Sequence, residues 1–213
     1  CIVKDNQGTL WLGTYFGGVN YFNPEYEIYT RYSYSSNEKK GLSNPVVGRT
    51  IEDKDGNLWI GTEGGGLNYY NRRTREFKWY RPQEGRNSIS HNNVKALYYD
   101  ADKEIIWIGT HLGGLNKLDI RSGHFTHYRM EEGNPNTLPS DIIRDIIPYK
   151  SLLIIATQNG VCLFDPANGQ CQQLFKDSKE GKSIKMVADV TFDSEGTLWI
   201  AATGEGVFSY RFD

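Results

Sequence analysis

The stretch that decides the fold is "DKDGNLWIGTEGGGLNYYN", residues 53–71. An Asp-rich turn opens it, an apolar run around Trp59 follows, and three glycines separate that run from a second aromatic one. Nearly the same words stand at 9–23 ("TLWLGTYFGGVNYFN"), 105–119 ("IIWIGTHLGGLNKLD") and 152–165 ("LLIIATQNGVCLFD"). A more diverged copy, "TLWIAATGEGVFSYR", occupies 197–211. The glycines raise a choice between a phosphate-holding loop and a turn. Phosphate cradles lead into a helix N-terminus, where free N–H groups and the helix dipole meet the anion. Here Gly64, Gly65 and Gly66 lead into another aromatic run of strand type, so a tight turn with positive φ is expected.

Periodicity carries the rest. Trp11, Trp59 and Trp107 are 48 residues apart, Ile154 takes the tryptophan's place 47 residues later, and Trp199 follows after another 45. Ahead of each turn stands an aliphatic marker, at Val47, Val94, Ile143 and Val187. Behind each, a short aromatic run closes the repeat: "EIYTRY", "EFKWY", "HFTHY" and "QCQQLF". The second repeat therefore reads as four short strands, "VVGRTIE", "NLWIGT", "GLNYYN" and "EFKWYR", joined by turn-forming residues. No segment carries a sustained apolar stripe of 3.6-residue period. Tandem four-stranded repeats of this length are the mark of β-propeller blades, each sheet burying its second face against its neighbour. The sequence thus predicts an all-β chain: a β-propeller fragment of five four-stranded blades, the last one incomplete. The approximate repeats are 1–34, 45–81, 92–130, 141–176 and 185–213, within one propeller region spanning 1–213. The first strand of each repeat is expected innermost, and each Trp is expected to pack between adjacent blades.

Composition agrees. In 213 residues there are 14 Tyr and 5 Trp, residues that suit pleated, half-buried surfaces. The 24 basic and 26 acidic residues are scattered and leave a net charge of −2, which argues against nucleic acid as a partner. No apolar run approaches the ~18 residues of a membrane span, and no signal peptide opens the chain. Of three cysteines, Cys162 and Cys171 flank the turn "DPANGQ". If Phe164 faces Cys171, the two cysteines are diagonal neighbours, about 7–8 Å apart, and free thiols are expected.

At this level of detail the repeats resemble a known family. "DKDGNLWIGTEGGGLNYYN" resembles the two-component regulator propeller repeat of extracytoplasmic sensors in hybrid histidine kinases, best known from gut Bacteroidetes. The resemblance runs copy by copy over nearly the whole chain. It implies a periplasmic ligand-sensing module, part of a seven-bladed parent whose membrane helix, kinase and response-regulator parts lie elsewhere. Such sensors respond to oligosaccharides and relay the signal across the inner membrane. The implied partners are an oligosaccharide, the remaining blades and downstream domains of the parent, and a second copy in a homodimer. The last repeat stops at "GVFSYRFD" without a fourth strand and the first opens with a clipped strand, so the chain reads as a piece of a longer sensor. The alternatives are a non-catalytic protein-interaction scaffold and a propeller lyase or hydrolase.

Chemical signatures are sparse. Asp53, Asp55 and Asn57 offer oxygens in a calcium-like order, but the distal bidentate acid is missing and a buried strand begins at Trp59; an Asp-to-backbone turn is expected instead. A sialidase Asp-box places its acid five residues before the Trp, where this chain has Lys54. His124 and His127 are three apart on a predicted strand, so they point to opposite faces and cannot share one ion. No metal, no cofactor and no catalytic residue is expected.

The repeats do mark a candidate ligand face. Positions that recur build the scaffold, whereas the residue after each "GT" or "AT" changes from copy to copy: Tyr15, Glu63, His111, Gln158. This turn and the loop joining one blade to the next emerge on the same end of a propeller. The candidate ligand-binding residues are Tyr15, Phe16, Glu63, His91, Asn92, His111, Leu112, Gln158, Asn159 and Glu205, bordered by Asn44 and Asn93. Aromatic, amide and carboxylate groups together suit sugar rings and hydroxyls.

Overall fold

The computed structural model describes residues 1–23, 28–175 and 184–212. Among these residues the chain is all-β: nineteen strands form five antiparallel sheets. The first holds β1 (Ile2–Lys4), β2 (Leu10–Thr14), β3 (Gly18–Asn23) and β4 (Ile28–Tyr32). The second holds β5 (Val47–Glu52), β6 (Leu58–Thr62), β7 (Gly66–Asn71) and β8 (Glu76–Tyr80). The third holds β9 (Val94–Asp100), β10 (Ile105–Thr110), β11 (Leu115–Asp119) and β12 (Phe125–Tyr128). The fourth holds β13 (Ile143–Tyr149), β14 (Leu152–Thr157), β15 (Gly160–Phe164) and β16 (Cys171–Leu174). The fifth has three strands, β17 (Val187–Phe192), β18 (Leu198–Ala202) and β19 (Gly206–Tyr210). Spatial order equals chain order in every sheet, as in a meander of hairpins. These are propeller-type blades, four complete and the last short of its fourth strand. The ends assigned from sequence at 176 and 213, and residues 24–27 of the first repeat, lie outside the described residues. One single-turn 3-10 helix, Glu38–Lys40, is the sole helical element among those described.

The chain divides into two compact units, residues 1–108 with 117–125, and residues 109–116 with 126–213. In the first unit, Trp11 packs with Leu58, Ile60, Tyr70 and Phe77 of the next sheet. Trp59 likewise packs with Val94, Leu97, Ile106, Ile108 and Phe125 of the sheet that follows it. Each indole thus fills the space between two sheets, as the repeat spacing predicts, and both are almost completely buried. First strands of successive sheets lie against one another, β5 against β9. The second unit repeats the scheme. Ile154 and Ala156 pack with Val187, Val190, Leu198 and Ile200, and β13 lies against β17. A further anchor escaped the sequence reading: Leu42, Ile89, Leu138 and Ile184, one in each connecting loop, are all buried.

The Asp turns are built as expected and do more than expected. Asp53 Oδ1 accepts the backbone N–H groups of Asp55 and Asn57 at 3.0 and 2.9 Å, and Gly56 follows at φ +79°. Its Oδ2 accepts the indole N–H of Trp59 at 3.0 Å. Asp5 holds Trp11 in the same way at 2.8 Å, and Asp193 holds Trp199 at 2.8 Å. One carboxylate therefore caps a turn and holds the tryptophan six residues later. Trp11 and Trp59 are thereby fixed between sheets, but Trp199, expected there as well, is 41% exposed, because no described sheet follows the fifth to cover it.

The glycines also have a structural task. A Cβ on Gly66 would stand 2.2 Å from the carbonyl oxygen of Tyr80, at the end of the fourth strand. Gly18 and Gly114 meet the Tyr32 and Tyr128 carbonyls at 2.2 and 2.3 Å. All three have positive φ, so both backbone conformation and space demand glycine.

Candidate functional site

The turn after each second strand is fastened to the loops beside it. In the first unit, Glu63 N–H donates to the Val46 carbonyl at 3.0 Å, on the loop leading into its own sheet. Gly64 and Gly66 N–H both donate to the Asn92 carbonyl, at 3.2 and 2.7 Å, on the loop leading into the next sheet. Gly18 N–H reaches the Pro45 carbonyl similarly, at 3.3 Å. In the second unit, Gly114 N–H donates to Asp141, Gln158 N–H to Ile142, Met186 N–H to Gln158 and Thr203 N–H to Met186, at 2.7–3.0 Å. Turn and connecting loop therefore share one end of each pair of sheets, and their backbones are fixed together.

Side chains on this scaffold differ. In the first unit, Tyr15 and Phe16 are strongly exposed and meet edge to face, 4.6 Å between centroids. Glu63 forms an ion pair with Lys95, a residue of β9 that the sequence reading passed over. The second position of the next first strand points this lysine at the candidate Glu63, so one carboxylate oxygen is already paired. His91 turns inward on its own loop, its Nδ1 accepting the Asn93 N–H at 3.1 Å, which requires the tautomer protonated on Nε2. Asn44 Oδ1 is spent on the Val46 N–H at 2.9 Å, while Asn92 is exposed. Glu63, Asn92, Asn93 and Lys95 thus form one polar group around the turn at 63–66.

In the second unit, His111 is half-buried and bridges to Ile142, and Leu112 beside it is exposed at φ +75°. Arg129 Nη1 donates to the Leu112 carbonyl at 3.0 Å and to Asp141 Oδ2 at 3.1 Å. Asp141 Oδ1 also accepts the Met130 N–H at 2.8 Å. Arg129 and Asp141 were not foreseen. The signal was present in Arg129, which follows the closing aromatic run just as Arg81 does after "EFKWY". Gln158 is half-buried, Asn159 is exposed and its carbonyl accepts Gln173 Nε2 at 3.4 Å, and Glu205 is exposed on the last turn.

The sequence places His124 and His127 on one strand, but only His127 lies on β12, since the strand begins at Phe125. His124 and His127 are both exposed on and beside the edge strand β12. Cys1, Cys162 and Cys171 are free thiols. The register assumed from sequence holds, with Phe164 opposite Cys171 and Cys162 opposite Gln173. Across that diagonal the Sγ atoms nevertheless stand 3.2 Å apart. Both side chains leave the same face and lean toward each other, so sulfur reaches where the backbone spacing alone forbids. Burial, reinforced by the neighbouring thiol, pushes the Cys162 thiol well above its ordinary range.

Comparison with known proteins places this architecture. The two component regulator propeller family matches residues 1–16, 41–64 and 88–111. No curated protein matches the chain. Among solved structures, the whole chain superimposes on the extracellular domain of the putative hybrid two component system BT3049 from B. thetaiotaomicron, at 25% identity and a TM-score of 0.81. It also superimposes on the extracellular domain of the putative one component system BT4673 from the same organism, at 24% identity and a TM-score of 0.78. PorZ of Porphyromonas gingivalis, a surface component of the type-IX secretion system, shares the fold at 19% identity and a TM-score of 0.73 over 99% of the chain. The chain spans 28%, 31% and 31% of those three proteins respectively. In the blades it builds and in the segments that match, the chain is similar to the two component regulator propeller family.

Proposed function

We propose that this chain is the ligand-sensing part of an extracytoplasmic two-component sensor, that it responds to oligosaccharides, and that it relays their binding to a kinase elsewhere in the parent. It performs no chemistry of its own. The observation that carries the reading is the contrast on the turn face: backbones pinned by repeated hydrogen bonds, with side chains that change from repeat to repeat. A turn that served structure alone would need only its threonine and glycines. Instead the first unit offers the Tyr15–Phe16 pair and the Glu63–Lys95 group, and the second offers His111, Gln158 and Asn159 with Arg129 beside them. Aromatic rings suit the apolar faces of sugars, and mixed donors and acceptors suit their hydroxyls. Likeness to extracellular sensor domains supports both the role and a periplasmic setting for a parent held in the inner membrane. Further blades, the downstream signalling domains and a second copy of the sensor are its partners in this reading.

The test uses the full-length sensor. Glu63→Ala and His111→Ala are introduced separately and together, and inducer binding and kinase output are measured. The reading expects both to fall. Unchanged binding and unchanged output in the double variant refute it. Unchanged inducer binding with altered output favours a second reading, in which the exposed Tyr15 and Phe16 make a protein contact that transmits the signal.

A further inference from the structure

We propose that Cys162 and Cys171 form a disulfide bond within the folded chain, across the outer hairpin of the fourth sheet. The two thiols sit on neighbouring strands, β15 and β16, with sulfurs 3.2 Å apart. A disulfide needs an S–S distance of about 2.05 Å, so each sulfur moves only about half an ångström toward the other. Neither strand has to change register. Cys162 is wholly buried and Cys171 nearly so, so the pair is shielded from solvent on both strands.

Access is uneven, and this sets the order of events. Cys171 lies on the wall of a pocket of about 440 Å³ whose lining is mostly uncharged: Asn136, Asn168, Gln170, Gln172 and Gln173, with Asp165 the one carboxylate. Cys162 does not reach that pocket. An external disulfide of small size therefore meets Cys171 first. The Cys171 thiolate attacks one sulfur of the oxidant, a mixed disulfide forms, and the oxidant's other half leaves as a thiol. Cys162, adjacent, loses its proton and attacks Cys171 Sγ; the mixed disulfide breaks and the second thiol departs. Two protein thiols are oxidised by two electrons and one external disulfide is reduced to two thiols. High burial of Cys162 makes its thiolate rare and the second step slow, so the bond closes on the time scale of local opening of β16, a four-residue outermost strand. Once closed, it ties that strand to β15 covalently. This chemistry is independent of which ligand the chain senses.

The experiment incubates the native chain, carrying Cys1→Ser to prevent linkage between copies, with 2-hydroxyethyl disulfide and 2-mercaptoethanol in varied ratio. The reaction is quenched with acid, the chain is unfolded, free thiols are alkylated, and intact mass is read. The expected product is two hydrogens lighter than the reduced chain and takes no alkylating group. With Cys162→Ser added, the expected product instead carries one hydroxyethylthio group on Cys171; with Cys171→Ser, Cys162 stays unmodified at the same exposure. The proposal is overturned if the native chain keeps two alkylatable thiols in excess disulfide, or if they link only after unfolding. Equal labelling of Cys162 and Cys171 in the single variants overturns the entry through the pocket.

Discussion

Replacing Asp53 by Asn tests whether one carboxylate organises both the turn and the interblade tryptophan. In the native chain Oδ1 accepts two backbone amides at 2.9–3.0 Å and Oδ2 accepts the Trp59 indole at 3.0 Å. Asparagine can keep its oxygen on the amides, but its –NH₂ then faces the indole N–H, donor against donor. The alternative flip places –NH₂ against the two amides, which is worse. The loss is one charge-assisted bond, about 1.5–3 kcal/mol, together with a buried indole donor left without a partner, roughly another 1 kcal/mol. Asp53→Asn should therefore cost about 3 kcal/mol, lowering the thermal midpoint by roughly 6–12 °C in a chain of this size.

The cost should depend on Trp59. In a Trp59→Phe background the opposed donors vanish, and Asp53→Asn should then cost only about 1 kcal/mol, for the weaker acceptor at the two amides. The double-mutant cycle thus predicts a coupling of about 2 kcal/mol. Urea unfolding followed by far-UV circular dichroism gives all four stabilities without relying on the fluorescence of the substituted tryptophan. A coupling below about 0.5 kcal/mol would refute the reasoning, since the turn and the indole would then be independent.

Gly66→Ala, whose new Cβ would stand 2.2 Å from the Tyr80 carbonyl oxygen, should cost about 3–5 kcal/mol in urea unfolding. Gly56→Ala, at a similar φ but with its nearest atom 3.6 Å away, should cost only about 1 kcal/mol, and equal costs would dismiss close approach as the reason for the glycine. Acid should unfold the chain through its Asp turns. Burial pushes the Asp5 carboxyl up, but hydrogen bonds from the Trp11 indole and the Thr9 and Gln7 amides, with the charge of Arg72, hold it below the usual range. The Trp199 indole and the Thr197 and Glu195 amides do the same for Asp193. A carboxylate with a depressed folded pKa contributes stability above the ordinary value of about 4 and loses it as pH falls through the folded value. Thermal midpoints should therefore drop steeply below about pH 4, and less steeply in Asp5→Asn. Tyr15→Ala with Phe16→Ala should leave urea stability within about 0.5 kcal/mol while lowering inducer response of the full sensor; a large stability loss would assign the pair to packing.

The fold was legible because a propeller blade is specified locally and then repeated. Every marker has a partner about one repeat away: Val47 with Val94, Trp59 with Trp107, "GTEGGG" with "GTHLGG". A single strand read from such short runs is ambiguous, but five in phase are not. What stayed hidden was the purpose of some markers. The spacing of Asp and Trp by six residues recurs in plain view in three repeats, yet nothing in a string of letters says that a carboxylate reaches past a turn to an indole. The buried Leu42, Ile89, Leu138 and Ile184 were hidden differently. Each is a lone aliphatic residue in a polar loop, without the alternation that identifies a strand position.

The candidate face was legible in backbone and only partly in side chains, and the reason is geometrical. Residues 63, 111 and 158 were found because they follow "GT" or "AT" in their own repeats, within one hairpin. Lys95 reaches its turn from another strand, where no repeated letter marks it, and Arg129 is marked only by its place after a closing aromatic run, as Arg81 is. Leu112 shows how the two kinds of information combine. It stands where the second repeat has Gly64, and both have positive φ, +75° and +100°. Leucine is strained there and glycine is not. Neither its carbonyl, which Arg129 holds, nor its turn requires a side chain, and that side chain is exposed. Strain that the turn itself does not need is thus carried by an apolar group on the varying face, and only backbone and side-chain information together reveal it.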